Sequence, residues 1–263
     1  MTEPTTALQE QVSALGPFFT FETHAAGSEI VAPWRKLSEV ARVESEVLEE
    51  RVASVRAALA GGGGRPAEAV ELRVAASVAH LGLVARVVSP LLGLAALRRL
   101  PSRPPTLDDL RWHSGLGGAF ALSLPRETVA AVATDDAVAT DEPVAAGDAG
   151  SVVGAGAAGA LLEGPVRDLV DAVAAFSVSR RILWGNVASA VNGATAGIVS
   201  AAPSLARPAR TASLLMLRHP RLRDAHTLDP RNGRFRRRSC CLIYRAAPDA
   251  AGAVCGDCVL VRR

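Results

Sequence analysis

The stretch Pro66–Leu100, PAEAVELRVAASVAHLGLVARVVSPLLGLAALRRL, decides the fold. From Pro66 to about Val88 it predicts a helix that is apolar around most of its circumference and therefore deeply buried. Pro90 predicts a kink or break before Leu91–Leu100, because proline has no amide to donate and crowds the preceding turn. Such a helix must be covered by others, and the sequence on either side supplies them. Upstream, Val40, Val43, Val47, Leu48, Val52, Val55 and Leu59 recur at three- and four-residue steps and predict an amphipathic helix over Leu37–Leu59. The glycines 61–64 end it.

Downstream, Pro101, Pro104 and Pro105 form a stiff connection. Residues 106–133 read as partly extended: Gly115, Gly117 and Gly118 lead into Phe120, Leu122 and Leu124, which alternate as in a strand. Thr134–Ala160 is rich in Ala, Gly, Val and Asp, and no basic residue occurs between Arg126 and Arg167. This predicts a long acidic loop. The helical period returns at Pro165 with Val166, Leu169, Val170, Val173 and Phe176, continues through Leu183, Val187 and Val191, and resumes at Leu214, Leu215 and Leu217. The expected fold is mainly α (α+β), a helical body with a small sheet element. The expected organisation is an N-terminal helical subdomain over 1–105, a mixed then helical subdomain over 106–226 holding the acidic loop 134–160, and a C-terminal segment over 227–263.

With 263 residues and 49% hydrophobic content, the chain can fill a real core, and its net charge of +3 is too small to argue for nucleic acid. Met1–Leu15 is acidic and polar, with no basic region ahead of an apolar stretch, so no export signal is expected and a cytoplasmic location follows. Val74–Leu97 and Ile182–Ala206 approach the length of a membrane span. His80, Arg86 and Pro90 interrupt the first, and Asn186, Ser189, Asn192, Thr195 and Pro203 the second, so both are expected as buried helices and not as spans. A peripheral membrane contact is left open.

All four cysteines, Cys240, Cys241, Cys255 and Cys258, fall within 19 residues near the C-terminus. Cys255-Gly256-Asp257-Cys258 can direct both sulfurs to one side of a turn, which is half of a tetrahedral sulfur site. Cys240 and Cys241 are adjacent, and both can ligate one centre only if the backbone bends there or if each sulfur approaches from a different side. A strained vicinal disulfide is disfavoured in a reducing compartment. A Rieske centre would need two interleaved histidines, and His219 and His226 lie upstream. The spacing favours a two-iron cluster over zinc and leaves both open.

The segment Arg236-Arg237-Arg238-Ser239-Cys240-Cys241-Leu242-Ile243-Tyr244-Arg245, followed by Cys255-Gly256-Asp257-Cys258, resembles the C-terminal signature of the FhuF-type ferric iron reductases. Leu183-Trp184-Gly185-Asn186 is similar to a second, weaker family segment. The spacer Leu242–Val254 is a few residues longer than the family's, and Pro248–Gly252 would absorb the difference as a loop. The resemblance implies a [2Fe-2S] cluster on Cys240, Cys241, Cys255 and Cys258, a ferric siderophore of hydroxamate type as substrate, and no catalytic side chain beyond the cluster. The sequence lacks an obvious flavin or nicotinamide site, so a ferredoxin-like protein or a flavin reductase is expected as electron donor.

Arg231, Arg234, Arg236, Arg237 and Arg238 precede the first cysteine, Arg245 lies in the spacer, and Arg262 and Arg263 follow the last. This cluster suits either tuning of an anionic cofactor or docking of an acidic donor. Arg236, Arg237, Arg238, Trp112, His113, Trp184 and Asn186 are the candidate docking residues; Trp34 is a further aromatic candidate. His80 and His219 read as structural. The rival classes are a zinc-stabilised binding module and a pure iron-sulfur electron carrier.

Overall fold

The computed structural model describes residues 3–42, 44–61, 64–99, 104–113, 120–129, 149–248 and 252–260. The chain begins with α1 (Glu3–Ser13), passes through β1 (Glu22–His24), β2 (Arg35–Lys36) and a 3-10 turn at Leu37–Ala41, and enters α2 (Glu46–Gly61). A second 3-10 turn at Ala67–Ala69 precedes α3 (Leu72–Ala96), followed by β3 (Arg111–His113), β4 (Ala121–Pro125) and the single-turn α4 (Arg126–Val129). Then come α5 (Ala149–Glu163), α6 (Pro165–Ala174), α7 (Arg180–Ala201), α8 (Ala206–Leu217) and α9 (Pro220–Arg223). The chain ends in the hairpin β5 (His226–Leu228) and β6 (Phe235–Arg237), then a 3-10 turn at Ile243–Ala246. The fold is mainly α with small sheets, as the hydrophobic pattern implies.

The core forms around α3 and α7, which pack against each other, with α2, α6 and α8 covering the remaining faces of α3. Fully buried Leu83, Val84, Val88 and Leu94 of α3 meet Leu183, Val187, Val191 and Ile198 of α7 in one continuous apolar cluster, while Val74 packs in a smaller one with Ala60, Val70 and Ala246. Each such side chain contributes roughly 1.5–3 kcal/mol when removed from water. Both helices are long and apolar enough to cross a membrane, yet 72% and 56% of their most apolar stretches are buried inside the protein.

Several elements differ from the sequence reading. The helix expected from Pro66 starts at Leu72, because Ala67–Ala69 forms a separate 3-10 turn that Val70 closes, and Glu71 is the N-cap of α3. It then runs through Pro90 without a break. Pro90 is itself buried, and packing on all sides outweighs proline's cost of about 3 kcal/mol. The helix expected over Leu37–Leu59 is two elements. Ser45 interrupts it, accepting from the Leu48 amide at 3.1 Å to cap α2 while donating to the Glu39 carbonyl at 2.6 Å. The stretch read as a loop to Ala160 is helical from Ala149, since an alanine-rich run forms helix despite Gly154, Gly156 and Gly159. Residues 134–148, the glycines 115–118, Pro101 and Arg262–Arg263 lie outside the described residues.

The four-stranded sheet has the order β1-β4-β3-β2, with β1 parallel to β4 and the other pairs antiparallel. Arg86 of α3 ties this sheet to the helices. Its guanidinium, 2% exposed, donates to the carbonyls of Phe120 at 2.8 Å, Phe18 at 2.7 Å and Thr20 at 2.8 Å. Burial lowers its pKa to about 10, so it remains charged at neutral pH.

Candidate metal centre in the C-terminal tail

The hairpin delivers the tail to the helices. His226 pairs with Arg237 and Leu228 with Phe235, and the rings of His226 and Phe235 stack with centroids 5.3 Å apart. Beyond the hairpin the chain lies across the N-terminal halves of α3 and α7. Ser239 Oγ donates to the Arg181 carbonyl at 3.1 Å, and Ser77 Oγ donates to the Cys241 carbonyl at 2.8 Å. Arg245 reaches Glu71 at 2.8 Å, and Arg65 bonds the Ala246 carbonyl. The second cysteine pair is held from three sides: the Arg237 amide donates to the Asp257 carbonyl at 3.1 Å, Asn192 Nδ2 to Asp257 Oδ1 at 3.0 Å, and Arg236 Nη2 to the Val259 carbonyl at 2.7 Å. Burial pushes the Asp257 carboxyl up, opposed by nearby Ser189, by the Arg237 charge and by the bond from Asn192.

A bend lies immediately after the adjacent cysteines. Leu242 has φ +70°, a left-handed conformation that costs a branched residue about 1–3 kcal/mol and persists only when its surroundings impose it. With that bend, backbone amides turn toward sulfur. Leu242 N donates to Cys240 Sγ and Leu260 N to Cys258 Sγ, both at 3.3 Å, and the Ile243 amide bonds Cys241. Cys241 and Cys258 are buried, Cys240 and Cys255 half-buried. Gly252 closes the spacer by donating to the Tyr244 carbonyl at 3.1 Å, where a Cβ would lie 2.6 Å from that oxygen.

The thiols are electrostatically one group. The interaction between Cys241 and Cys255 draws Cys241 down and pushes Cys255 up. Burial pushes Cys240 up, with Cys241 and Cys258 adding to the rise. Among the described residues no three His, Cys, Asp or Glu side chains converge as ligands of a single ion. A two-iron group needs no such convergence, since each iron takes two thiolates. Amide donors on sulfur and a nearby cation suit an anionic thiolate-bound group, so the residues present fit a [2Fe-2S] cluster.

That cation is Arg237, 1% exposed. Its Nε donates to the Ser239 carbonyl at 3.0 Å, and its Nη2 to the Ile182 carbonyl at 3.2 Å and to Asn186 Oδ1 at 2.7 Å. Burial lowers its pKa, while Cys241, Cys255, Asp257 and Cys240 oppose that shift. Asn186, fully buried, donates in turn to the Ser77 carbonyl at 2.9 Å and lies 3.4 Å from His80 Nδ1. Burial first, and Arg237 second, lower the His80 pKa to about 3 and keep it neutral.

Of the sequence candidates, the structure brings together Arg237 and Asn186 beneath the cysteines and keeps Arg236 and Arg238 on the same strand-to-tail segment. Arg236 is half-buried and Arg238 exposed. Trp184 is half-buried under the Arg221 guanidinium, 5.7 Å from its ring centroid. Trp112 is fully buried against Phe120 in the sheet, and His113 forms an edge-on pair with Trp34 at 4.9 Å. His219 caps α9, accepting from the Arg221 amide at 3.3 Å. Sequence reasoning missed Ser77, Asn192 and Ser239 as supports of the site; Ser239 stands within the quoted signature, while Ser77 and Asn192 lie in no pattern that marks them. Gly185 was within reach, flanked by Trp184 and Asn186: a Cβ there would overlap Ser239 Oγ and lie 2.9 Å from Arg237 Nη2.

Two cysteine pairs on one tail beside a buried arginine suit a thiolate-bound metal group. Residues 237–260, which include both cysteine pairs, match the family described as the FhuF 2Fe-2S C-terminal domain. The tail is thus a FhuF-type segment and its cofactor a [2Fe-2S] cluster. No curated protein and no solved structure matches the chain.

Proposed function

We propose that the protein is a cytoplasmic ferric-siderophore reductase in which Cys240, Cys241, Cys255 and Cys258 hold the [2Fe-2S] cluster. The observation that carries this reading is the match of residues 237–260, which include both cysteine pairs, to a FhuF 2Fe-2S domain. When bound, the cluster supplies a one-electron relay. The chain's own residues do the rest. The Leu242 and Leu260 amides donate to the sulfurs of Cys240 and Cys258, where they would face the negative charge of a thiolate-bound group. The half-buried Cys240 and Cys255 bring sulfur close to solvent, where an electron can pass without direct ligation of the substrate.

The substrate is a ferric hydroxamate siderophore. One electron from a ferredoxin-like protein or a flavin reductase passes to the chelated Fe(III), which becomes Fe(II); hard oxygen donors hold Fe(II) far less tightly, so the metal leaves its carrier. No proton transfer is needed for the balance, and no acid-base pair is assigned. Exposed Arg238 and half-buried Arg236, beside exposed Val254 and Leu260, offer an acidic donor a basic and apolar landing face.

The test is a single-turnover assay. Protein reduced anaerobically and mixed with one equivalent of a ferric hydroxamate is expected to re-oxidise while Fe(II) appears in a ferrous chelator. A reduced cluster that persists beside intact ferric chelate would leave a pure electron carrier.

A further inference from the structure

Beneath the cysteines lies one feature that holding the cluster does not require. A guanidinium has five N–H donors. Three of those on Arg237 are placed, on the Ser239 and Ile182 carbonyls and on Asn186 Oδ1. Nη1, equally buried, has no partner. An unsatisfied buried donor on a charged group is costly and calls for an acceptor. The acidic groups whose charge acts on this guanidinium are Cys241, Cys255, Asp257 and Cys240, so the proposed cluster ligands lie within its electrostatic reach.

The surroundings fix this group in place. Asn186 Oδ1 accepts from Arg237 while Nδ2 donates to Ser77, so the amide has a single orientation. Ser77 Oγ returns to the Cys241 carbonyl, closing a loop from arginine to cysteine through two helices. Gly185 leaves the space that Arg237 Nη2 and Ser239 occupy. His80 stays neutral, so Arg237 is the cation of this buried network.

We propose that Arg237 is the positioning residue that sets the cluster's potential, its free Nη1 donating to cluster or thiolate sulfur and its buried charge favouring the reduced form. This rests on the assignment of the four cysteines as ligands. Reduction adds one negative charge, and a cation held in a weakly polarisable interior stabilises the more negative state more strongly. The exposed Arg231 and Arg234 are screened by water and contribute little.

The experiment uses the full chain, purified without oxygen and labelled with [15N]arginine. In the dithionite-reduced protein, pulsed EPR is expected to show a weakly coupled 15N nucleus that Arg237→Lys abolishes. Arg237→Gln is expected to lower the reduced-to-oxidised ratio at a fixed ambient potential at least tenfold, roughly 59 mV for one electron. Arg237→Lys retains most of the wild-type potential, and Arg234→Gln leaves it unchanged. A merely structural arginine would produce neither the coupling nor a charge-dependent shift. If the cluster is present but wild type shows no arginine coupling, or if Gln and Lys variants shift alike, the inference fails while the ligand assignment stands. If wild type holds no iron and sulfide, both fall. The wild-type spectrum decides the case even if both variants misfold.

Discussion

Gly185→Ala introduces a single methyl group where α7 meets the tail. That carbon would overlap Ser239 Oγ and approach Arg237 Nη2 to 2.9 Å. Neither neighbour can step aside freely, because Ser239 is bonded to the Arg181 carbonyl and Arg237 to Asn186. Breaking the neutral bond costs about 1 kcal/mol and weakening the charged one about 1.5–3 kcal/mol. Alanine returns about 1 kcal/mol of helix propensity, leaving the docked tail weaker by about 2 kcal/mol. The loss is local, so it is read by hydrogen exchange. Amides of residues 237–260 are expected to exchange about 30-fold faster, at 1.4 kcal/mol per tenfold, while those of α2 are unchanged. Gly193→Ala on the same helix, where a Cβ meets nothing within 4 Å, is the control and should be neutral or stabilising. Unchanged tail exchange with full iron content in Gly185→Ala would refute the claim that the tail is seated through this contact.

Other expectations are equally direct. Replacing any one of Cys240, Cys241, Cys255 or Cys258 by Ala should abolish the visible absorption of the anaerobic protein, and a variant that keeps a full spectrum would remove that residue from the ligand set. Arg86→Met leaves the Phe18, Thr20 and Phe120 carbonyls without their donor. It should destabilise the fold by about 3 kcal/mol or more in urea titration, as buried polar networks do when one partner is removed. His80 has a folded pKa of about 3, below its unfolded value, so between those values the unfolded chain binds the extra proton and stability falls as pH falls. His80→Gln should flatten the stability profile between about pH 6.5 and pH 3 by up to about 1.4 kcal/mol per pH unit, and an unchanged slope would exclude His80 as its source. Removing the cluster with a chelator should leave far-UV circular dichroism nearly intact, because the described residues of 237–260 contribute, beyond the end of β6, one 3-10 turn; a large helix loss would mean the tail organises the core.

What the sequence made legible follows from periodicity and from spacing. The apolar face of α3 and the steps of α6 and α7 are local patterns that packing merely fulfils. Ser45 and Ala149 were harder, because each depends on a choice between a cap and a continuing helix, or between loop and helix, that tertiary packing settles. The cysteine pairs were legible as a cluster, and a bend at Cys240–Cys241 was one of two ways the pair could serve one centre; that Leu242 supplies a bend with φ +70° was not legible, since leucine does not advertise that conformation. Asn186 and Arg237 were both singled out, for docking. Their pairing inside the protein arises from the crossing of α7 and β6, which lie far apart in sequence. Ser77 joins them from a third element and has no sequence signal of its own.

The central claim is that four thiols of the tail hold two bridged irons. Metal and acid-labile sulfide analysis of the full chain purified without oxygen tests it most directly. The account predicts about two irons and two sulfides per chain, with an EPR signal appearing on dithionite reduction. Stoichiometric zinc with neither iron nor sulfide would contradict it.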